Sequence, residues 1–247
     1  LIFALLSHEK AIIFPFLAFI YDVAQTKSIR VSLKRVLPFL VIVVIYGAAR
    51  LTVLNFENTL NFFETSNPYS ESFSLRMFTF FHALLLYFGL LFVPVGLHME
   101  RSVPLHASFF EWPVWISALI MLGLLYVTYK SYKTRGAFFW ILFFSLGWFF
   151  VALGPVSGIT PINAQIYEHW LYIPIIGFAT LMGYGSARLR EKFGMWFLIG
   201  LTAYGAFLAV QTIRRNILWG KPIAFYEDIL RYEPDSVRIN NNLANHY

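Results

Sequence analysis

The stretch AFFWILFFSLGWFFVALGP, Ala137–Pro155, runs for 19 residues without a charged side chain. A bilayer core about 30 Å thick takes roughly 20 apolar residues as helix. Working outward, six further runs approach that length: Leu1–Tyr21, Val36–Leu54, Met77–Leu97, Trp112–Tyr129, Leu171–Ala187 and Met195–Ile213. Ser7-His8-Glu9-Lys10 interrupts the first, and Arg50 lies near one end of the second. The expected fold class is all-α, a polytopic membrane helix bundle.

Composition agrees. Of 247 residues, 58% are hydrophobic, 19% aromatic and only 13% charged, about half the ~25% charge of soluble domains. This excludes a water-soluble enzyme, a disordered chain and a nucleic-acid module. The absence of Cys excludes disulfides, thiolate metal sites and Cys nucleophiles. The sequence opens at Leu1 inside an apolar run and stops at Tyr247 in helix-like sequence. It therefore reads as a fragment, with no signal peptide visible.

The formal net charge of +6 bears on orientation, because Lys and Arg collect in cytoplasmic loops. Three loops qualify: Lys27, Arg30, Lys34 and Arg35; Lys130, Lys133 and Arg135; and Arg188, Arg190 and Lys192. The opposite side receives an outer loop, 55–76, with Glu57, Glu64 and Glu71, then the Val156–His169 loop and the tail. Parity then forbids a single crossing by Met77–Leu97. Pro94 and Gly96 at its end suit a re-entrant or interfacial segment.

The bundle is assigned to residues 1–213 and a second unit to 214–247. In the tail, Ile223–Tyr232 has an amphipathic helix pattern, Pro234-Asp235-Ser236 signals a turn and cap, and Asn240–Tyr247 opens another helix. Tetratricopeptide repeats have a 34-residue period with Leu, a small residue and Tyr in the first helix and Pro closing the second. With Pro234 as the closing proline, Leu243, Ala244 and Tyr247 fall on first-helix positions and Tyr226 on the aromatic position of the second. An ordinary helical hairpin is the plainer alternative.

An ionisable residue within a span costs roughly 2.5–3.5 kcal/mol on insertion scales, so it persists where paired, wetted or used. Glu9 and Lys10 lie roughly 20 Å from Asp22 at about 1.5 Å per residue, inside the core toward its outer face. His8, Glu9 and Lys10 either line a polar cavity, with Lys10 facing an anion and Glu9 orienting it, or form a silent structural pair. Arg50 either meets a lipid phosphate through fork-like bonds or snorkels to the interface. Arg76 and His82 frame a cavity rim or anchor an interfacial helix. In Tyr167-Glu168-His169-Trp170-Leu171-Tyr172-Ile173-Pro174 the aromatic residues suit an interfacial belt. Glu168 and His169 are less ordinary there, and His donates to phosphate near neutral pH. Gly183 and Gly185 suit close helix packing. Phosphate-binding glycine loops, nucleophile elbows and paired-His metal motifs are missing.

Four stretches carry a resemblance. They are Ser7-His8-Glu9-Lys10-Ala11-Ile12-Ile13-Phe14-Pro15 with Tyr21-Asp22; Asn67-Pro68, Arg76, Thr79, Tyr87, Pro94 and Leu97; Glu168–Pro174; and Arg215-Asn216, Trp219 and Pro234–Tyr247. In this order the chain resembles the multi-span, tetratricopeptide-bearing O-mannosyltransferases and their bacterial relatives among the GT-C glycosyltransferases. His169 stands where that family's Glu-Arg-Tyr-Leu-Tyr-Leu-Pro motif has Arg.

The resemblance implies the C-terminal part of a GT-C bundle leading into a repeat array. It implies a hexosyltransferase taking a sugar, mannose above others, from a polyprenyl-phosphate carrier to a protein or glycan acceptor on the lumenal or periplasmic side. The membrane would be a bacterial inner membrane or the endoplasmic reticulum, with the repeats, and their protein contacts, on its non-cytoplasmic side. The family's catalytic acid lies upstream of Leu1, so the catalytic base is unknown here. Glu9, Lys10, Arg50, Arg76, Glu168 and His169 are the candidates for binding substrate or lipid phosphate. The lipid-linked sugar is the donor; no cofactor is certain, no metal ligands are assigned, and a divalent metal stays open. Competing readings are an O-antigen ligase-like transferase, a transporter, and a membrane-anchored repeat scaffold without chemistry.

Overall fold

The computed structural model describes residues 1–53, 67–162 and 164–247, apart from the side chain of Glu9. Glu57 and Glu64, assigned to the outer loop, lie outside the described residues. Among the described residues, five helices are long and apolar enough to cross a membrane: Ile29–Thr52, Phe73–Phe92, Trp112–Tyr132, Ala137–Val156 and Ile175–Trp219.

The first run is not one helix. It comprises α1 (Ile2–Ser7), a 3₁₀ stretch (Glu9–Ile13) and α2 (Phe14–Thr26). His8 is extended and its Nδ1 accepts from the Lys10 backbone N–H at 3.2 Å. That bond competes with the helical ladder, and Pro15 suits the first turn of the helix that follows. The break sets Lys10 off from both regular helices.

Lys27 turns the chain with φ of 57°, and Ser28 caps α3 (Ile29–Thr52) through the Val31 N–H. A short α4 (Pro68–Glu71), capped by Asn67, leads into α5 (Phe73–Phe92), capped by Ser72. Part of the expected outer loop 55–76 is thus helical. After α5 an extended strap carries β1 (Glu100–Arg101), followed by α6 (Trp112–Tyr132) and α7 (Ala137–Leu153). Beyond α7, β2 (Ile166–Tyr167) pairs antiparallel with β1, and Glu168–Leu171 forms a 3₁₀ turn. α8 (Ile175–Trp219) is two arms, 175–193 and 195–219, broken at Gly194 with φ of 57° and ψ of −130°. That conformation favours glycine. The boundary drawn at 213/214 falls inside the second arm.

The basic turns share one end of the bundle. Gly147 on α7 meets Ile20 on α2, Tyr21 meets Phe144, and Phe138 stacks on Tyr184. These contacts bring the α2–α3 turn, the α6–α7 turn and the break at Gly194 to the same side. Arg35 pairs there with Asp22 at 2.8 Å. α5 stops short of that end. Arg76 in its first turn bonds Gly158 beyond the far end of α7, and the Pro94 carbonyl after it accepts from Gln211 at 2.8 Å. Gln211 is 17 residues past Gly194, roughly 25 Å along a helix. The strap then returns to pair with β2.

The main core joins Ala83, Leu84, Tyr87 and Leu91 of α5 to Phe149 and Leu153 of α7 and to Ile166. Close helix contact uses other glycines than expected. A Cβ on Gly177 would lie 2.3 Å from the Ser145 carbonyl oxygen, whereas Gly183 and Gly185 have nothing within 4 Å.

At the C-terminus, α9 (Pro222–Leu230) and α10 (Val237–Ala244) form a helical hairpin around Phe225, Ile229 and Ile239. Ser236 caps α10, as the turn pattern predicts. The second helix begins at Val237, earlier than expected. The hairpin docks on the strap: Met99 joins its core, Tyr232 stacks on His98 at 4.2 Å, and Glu233 accepts from the Ser102 N–H at 2.8 Å.

Candidate functional site

Two cavities share a wall. The larger, about 1210 Å³, lies between the two arms of α8 and the end of α5, and Pro94 and Leu97 of the strap complete it. Its lining is almost wholly apolar, with Glu168, His169, Tyr172, Ser186 and Tyr204 as the polar side chains. The smaller, about 160 Å³, is lined by Lys10, His169, Trp170, Tyr172 and apolar residues of α7 and its following turn. His169 and Tyr172 belong to both.

The local sequence explains the convergence. The 3₁₀ turn Glu168–Leu171 separates β2 from α8 and spreads consecutive side chains in different directions. Trp148 of α7 fixes its far side by donating to the Ile173 carbonyl at 3.0 Å. From the opposite side the break after His8 presents Lys10, whose Nζ lies 5.7 Å from the Trp170 ring centroid. The His169 ring stacks on Tyr167. Burial pushes the His169 pKa down, and the Lys10 charge adds to this. At neutral pH the imidazole is therefore an uncharged hydrogen-bonding group beside an ammonium. Such a pair can hold an anion between an ammonium and an imidazole that the anion favours in its charged form.

Glu168 has a different task. Its Oε1 accepts from Arg101 Nη2 at 2.7 Å, Arg101 Nε at 3.1 Å and the His98 N–H at 2.8 Å. It ties the strap to the turn that carries His169. Arg76 is buried and gives its donors to backbone carbonyls of Gly158, Tyr69 and Ser70 at 2.8, 3.2 and 2.8 Å. It pins α4 to the loop after α7 and lies in the wall of neither cavity. Arg50 donates to the Tyr46 hydroxyl one turn back on α3 and also lines neither cavity. The Glu9 side chain lies outside the described atoms. Of the six expected residues, Lys10 and His169 meet, and Glu168 lines the larger cavity from within its bond to Arg101.

Sequence reading passed over Arg101 and, apart from His82, a second polar chain. His82 Nδ1 and His106 Nε2 are 2.8 Å apart, and His106 Nδ1 lies 2.5 Å from Glu111 Oε2. The other Glu111 oxygen accepts from the Ala107 and Ser108 N–H groups. The His106 bond holds the Glu111 carboxyl below the usual carboxylate range, and the Ser108 N–H adds to it. With Glu111 ionised, His106 Nδ1 carries the proton that bonds the carboxylate. His82 stands out in the sequence, but nothing there links it to His106, 24 positions away. Among the described residues, no three His, Asp or Glu side chains converge as metal ligands.

No family model, no curated protein and no solved structure matches this chain.

Proposed function

We propose that this chain binds the lipid-linked donor in a membrane glycosyltransferase of the GT-C type. The enzyme moves a sugar, mannose above others, from a polyprenyl-phosphate carrier to a protein or glycan acceptor on the lumenal or periplasmic side. One observation supports this most: an apolar groove of about 1210 Å³ shares His169 and Tyr172 with the small cavity that holds Lys10. A polyprenyl chain fits the first and its phosphate the second. In this reading the helical hairpin 222–244 opens a tetratricopeptide array on the same side.

The chemistry follows from charge. When the acceptor oxygen attacks the anomeric carbon, the sugar–oxygen bond to phosphate breaks and negative charge gathers on the departing polyprenyl phosphate. Lys10 and His169 stabilise that charge through a positioned ammonium and imidazole N–H. A carboxylate must take the acceptor proton.

The test uses a fluorescent short-chain polyprenyl phosphate and the full chain in nanodiscs. Lys10→Met and His169→Gln should each weaken binding about tenfold, the size of one charge-assisted hydrogen bond. Lys10→Arg should retain most of it, and arm variants that narrow the groove, such as Gly185→Leu, should weaken it too. Equal binding by wild type and Lys10→Met would refute the reading.

A further inference from the structure

A separate cavity of about 330 Å³ lies where α10 meets the β1–β2 pair, with Tyr69, Glu100, Gln165, Tyr167 and Arg238 in its wall. Two of its polar groups are incompletely used. Glu100 Oε1 accepts from the Ser236 hydroxyl at 3.0 Å. Its Oε2 is buried, has no hydrogen-bond partner among the described residues, and lies 4.0 Å from Arg238. A buried carboxylate oxygen without a donor is unfavourable by itself. Gln165 accepts from the Val103 N–H at 2.8 Å through Oε1, which leaves the two Nε2 hydrogens to solvent or a ligand.

The missing partner for Glu100 is a donor, and the missing partner for Gln165 is an acceptor. A hydroxyl is both. Charge narrows the choice. Glu100 offsets Arg238 and Glu168 offsets Arg101, so the wall carries no surplus positive charge for a phosphate or carboxylate. Arg238 also donates to the Tyr167 hydroxyl, and its guanidinium stands 5.9 Å over the Tyr167 ring. The result is a neutral wall alternating aromatic faces with planar polar groups. Its volume is at the small end of the ~300–1,000 Å³ typical of ligand cavities, too compact for an extended peptide.

We infer that this cavity is a saccharide subsite, in which one sugar hydroxyl donates to Glu100 Oε2 and a sugar oxygen accepts from Gln165 Nε2. It deepens the transferase reading by making the acceptor a glycan, and it rests on that reading for the word acceptor; the binding itself does not.

Saturation-transfer NMR on the full chain in nanodiscs tests it. The probes are methyl α-mannoside, methyl β-glucoside, diacetylchitobiose and, as the rival, a Ser/Thr-rich peptide. At least one saccharide should bind saturably. Glu100→Gln, which can still accept from Ser236, and Gln165→Glu, which can still accept from Val103, should each weaken it about tenfold or more. Should Glu100→Gln misfold, Gln165→Glu decides. Binding of the peptide with no saccharide, binding of nothing, or wild-type saccharide binding by folded variants overturns the proposal. Saccharide binding without binding of the fluorescent polyprenyl phosphate removes the transferase reading and leaves the subsite standing. Polyprenyl-phosphate binding without saccharide binding does the reverse.

Discussion

Arg101 grips Glu168 with two nitrogens on one carboxylate oxygen, Nη2 at 2.7 Å and Nε at 3.1 Å, across 67 positions of sequence. The same guanidinium bonds the Gly96 carbonyl at 2.7 Å, and Glu168 also holds the His98 N–H. The strap and the His169 turn are thereby fastened together, and both wall the large groove. Glu168 is occupied as a fastener rather than poised as a base.

Removing one partner therefore acts mainly on stability. Both side chains are about four-fifths buried, and an unmatched charge in such a place is costly. Arg101→Met should destabilise by about 2 kcal/mol. The double variant with Glu168→Gln should recover part of that, since no ion then remains unpaired. Thermal unfolding in detergent, read by tryptophan fluorescence, checks both. Equal melting of wild type and Arg101→Met would show the bond to be incidental.

Gly177 offers a sharper steric test. Its Cβ position is 2.3 Å from the Ser145 carbonyl oxygen and 3.1 Å from the Phe149 N, backbone atoms that cannot rotate away. Gly177→Ala must push α7 and α8 apart at their crossing and should cost about 1–3 kcal/mol. Gly183→Ala and Gly185→Ala meet nothing and should be neutral or stabilising by about 0.5–1 kcal/mol through helix propensity. The three melting temperatures rank the sites directly.

The glycines mark the limit of sequence reading here. Helical spans are legible because length and apolarity alone specify them: Ala137–Pro155 and Trp112–Tyr129 became α7 and α6 with ends moved by a few residues. Which glycine faces a neighbouring backbone depends on where two helices cross, and nothing local to Gly177 or Gly183 encodes that. The candidate site divides the same way. Lys10 stands out because charge within an apolar run is anomalous, and His169 because it sits beside Glu168 in an aromatic belt. Arg50 and Arg76 looked equally anomalous, yet their donors go to Tyr46 and to backbone carbonyls. Polarity reveals that a group needs a partner, and only the fold supplies which one. Arg101 is not legible because it lies between apolar runs, where an arginine needs no explanation.

The Glu111–His106 bond makes a pH prediction. Glu111 is held below its ordinary value of about 4.5, first by His106 and then by the Ser108 N–H. A carboxyl with a depressed folded pKa contributes stability above the unfolded value and loses it as pH falls through the folded one. The melting difference between wild type and Glu111→Gln should be constant above about pH 5, shrink below 4.5 and vanish once the folded carboxyl protonates. A difference that persists unchanged to strongly acid pH would show that Glu111 acts through its size and not its charge.

His169 makes the opposite prediction for binding. Burial first, and Lys10 second, depress its pKa in the unliganded chain. An anion in the shared cavity favours the imidazolium, so the bound pKa must be higher than the free one. Linkage then requires binding to take up a proton and to tighten as pH falls through the bound pKa toward the free one, by at most tenfold per pH unit for one site. A polyprenyl phosphosugar is the right ligand, because a phosphodiester has no titration of its own in this range. His169→Gln should flatten the profile at the weak, high-pH affinity. Lys10→Met should raise the free pKa of His169, weaken binding at every pH and move the lower limb of the profile toward neutrality. A pH profile identical in wild type and His169→Gln would place the phosphate elsewhere in the bundle.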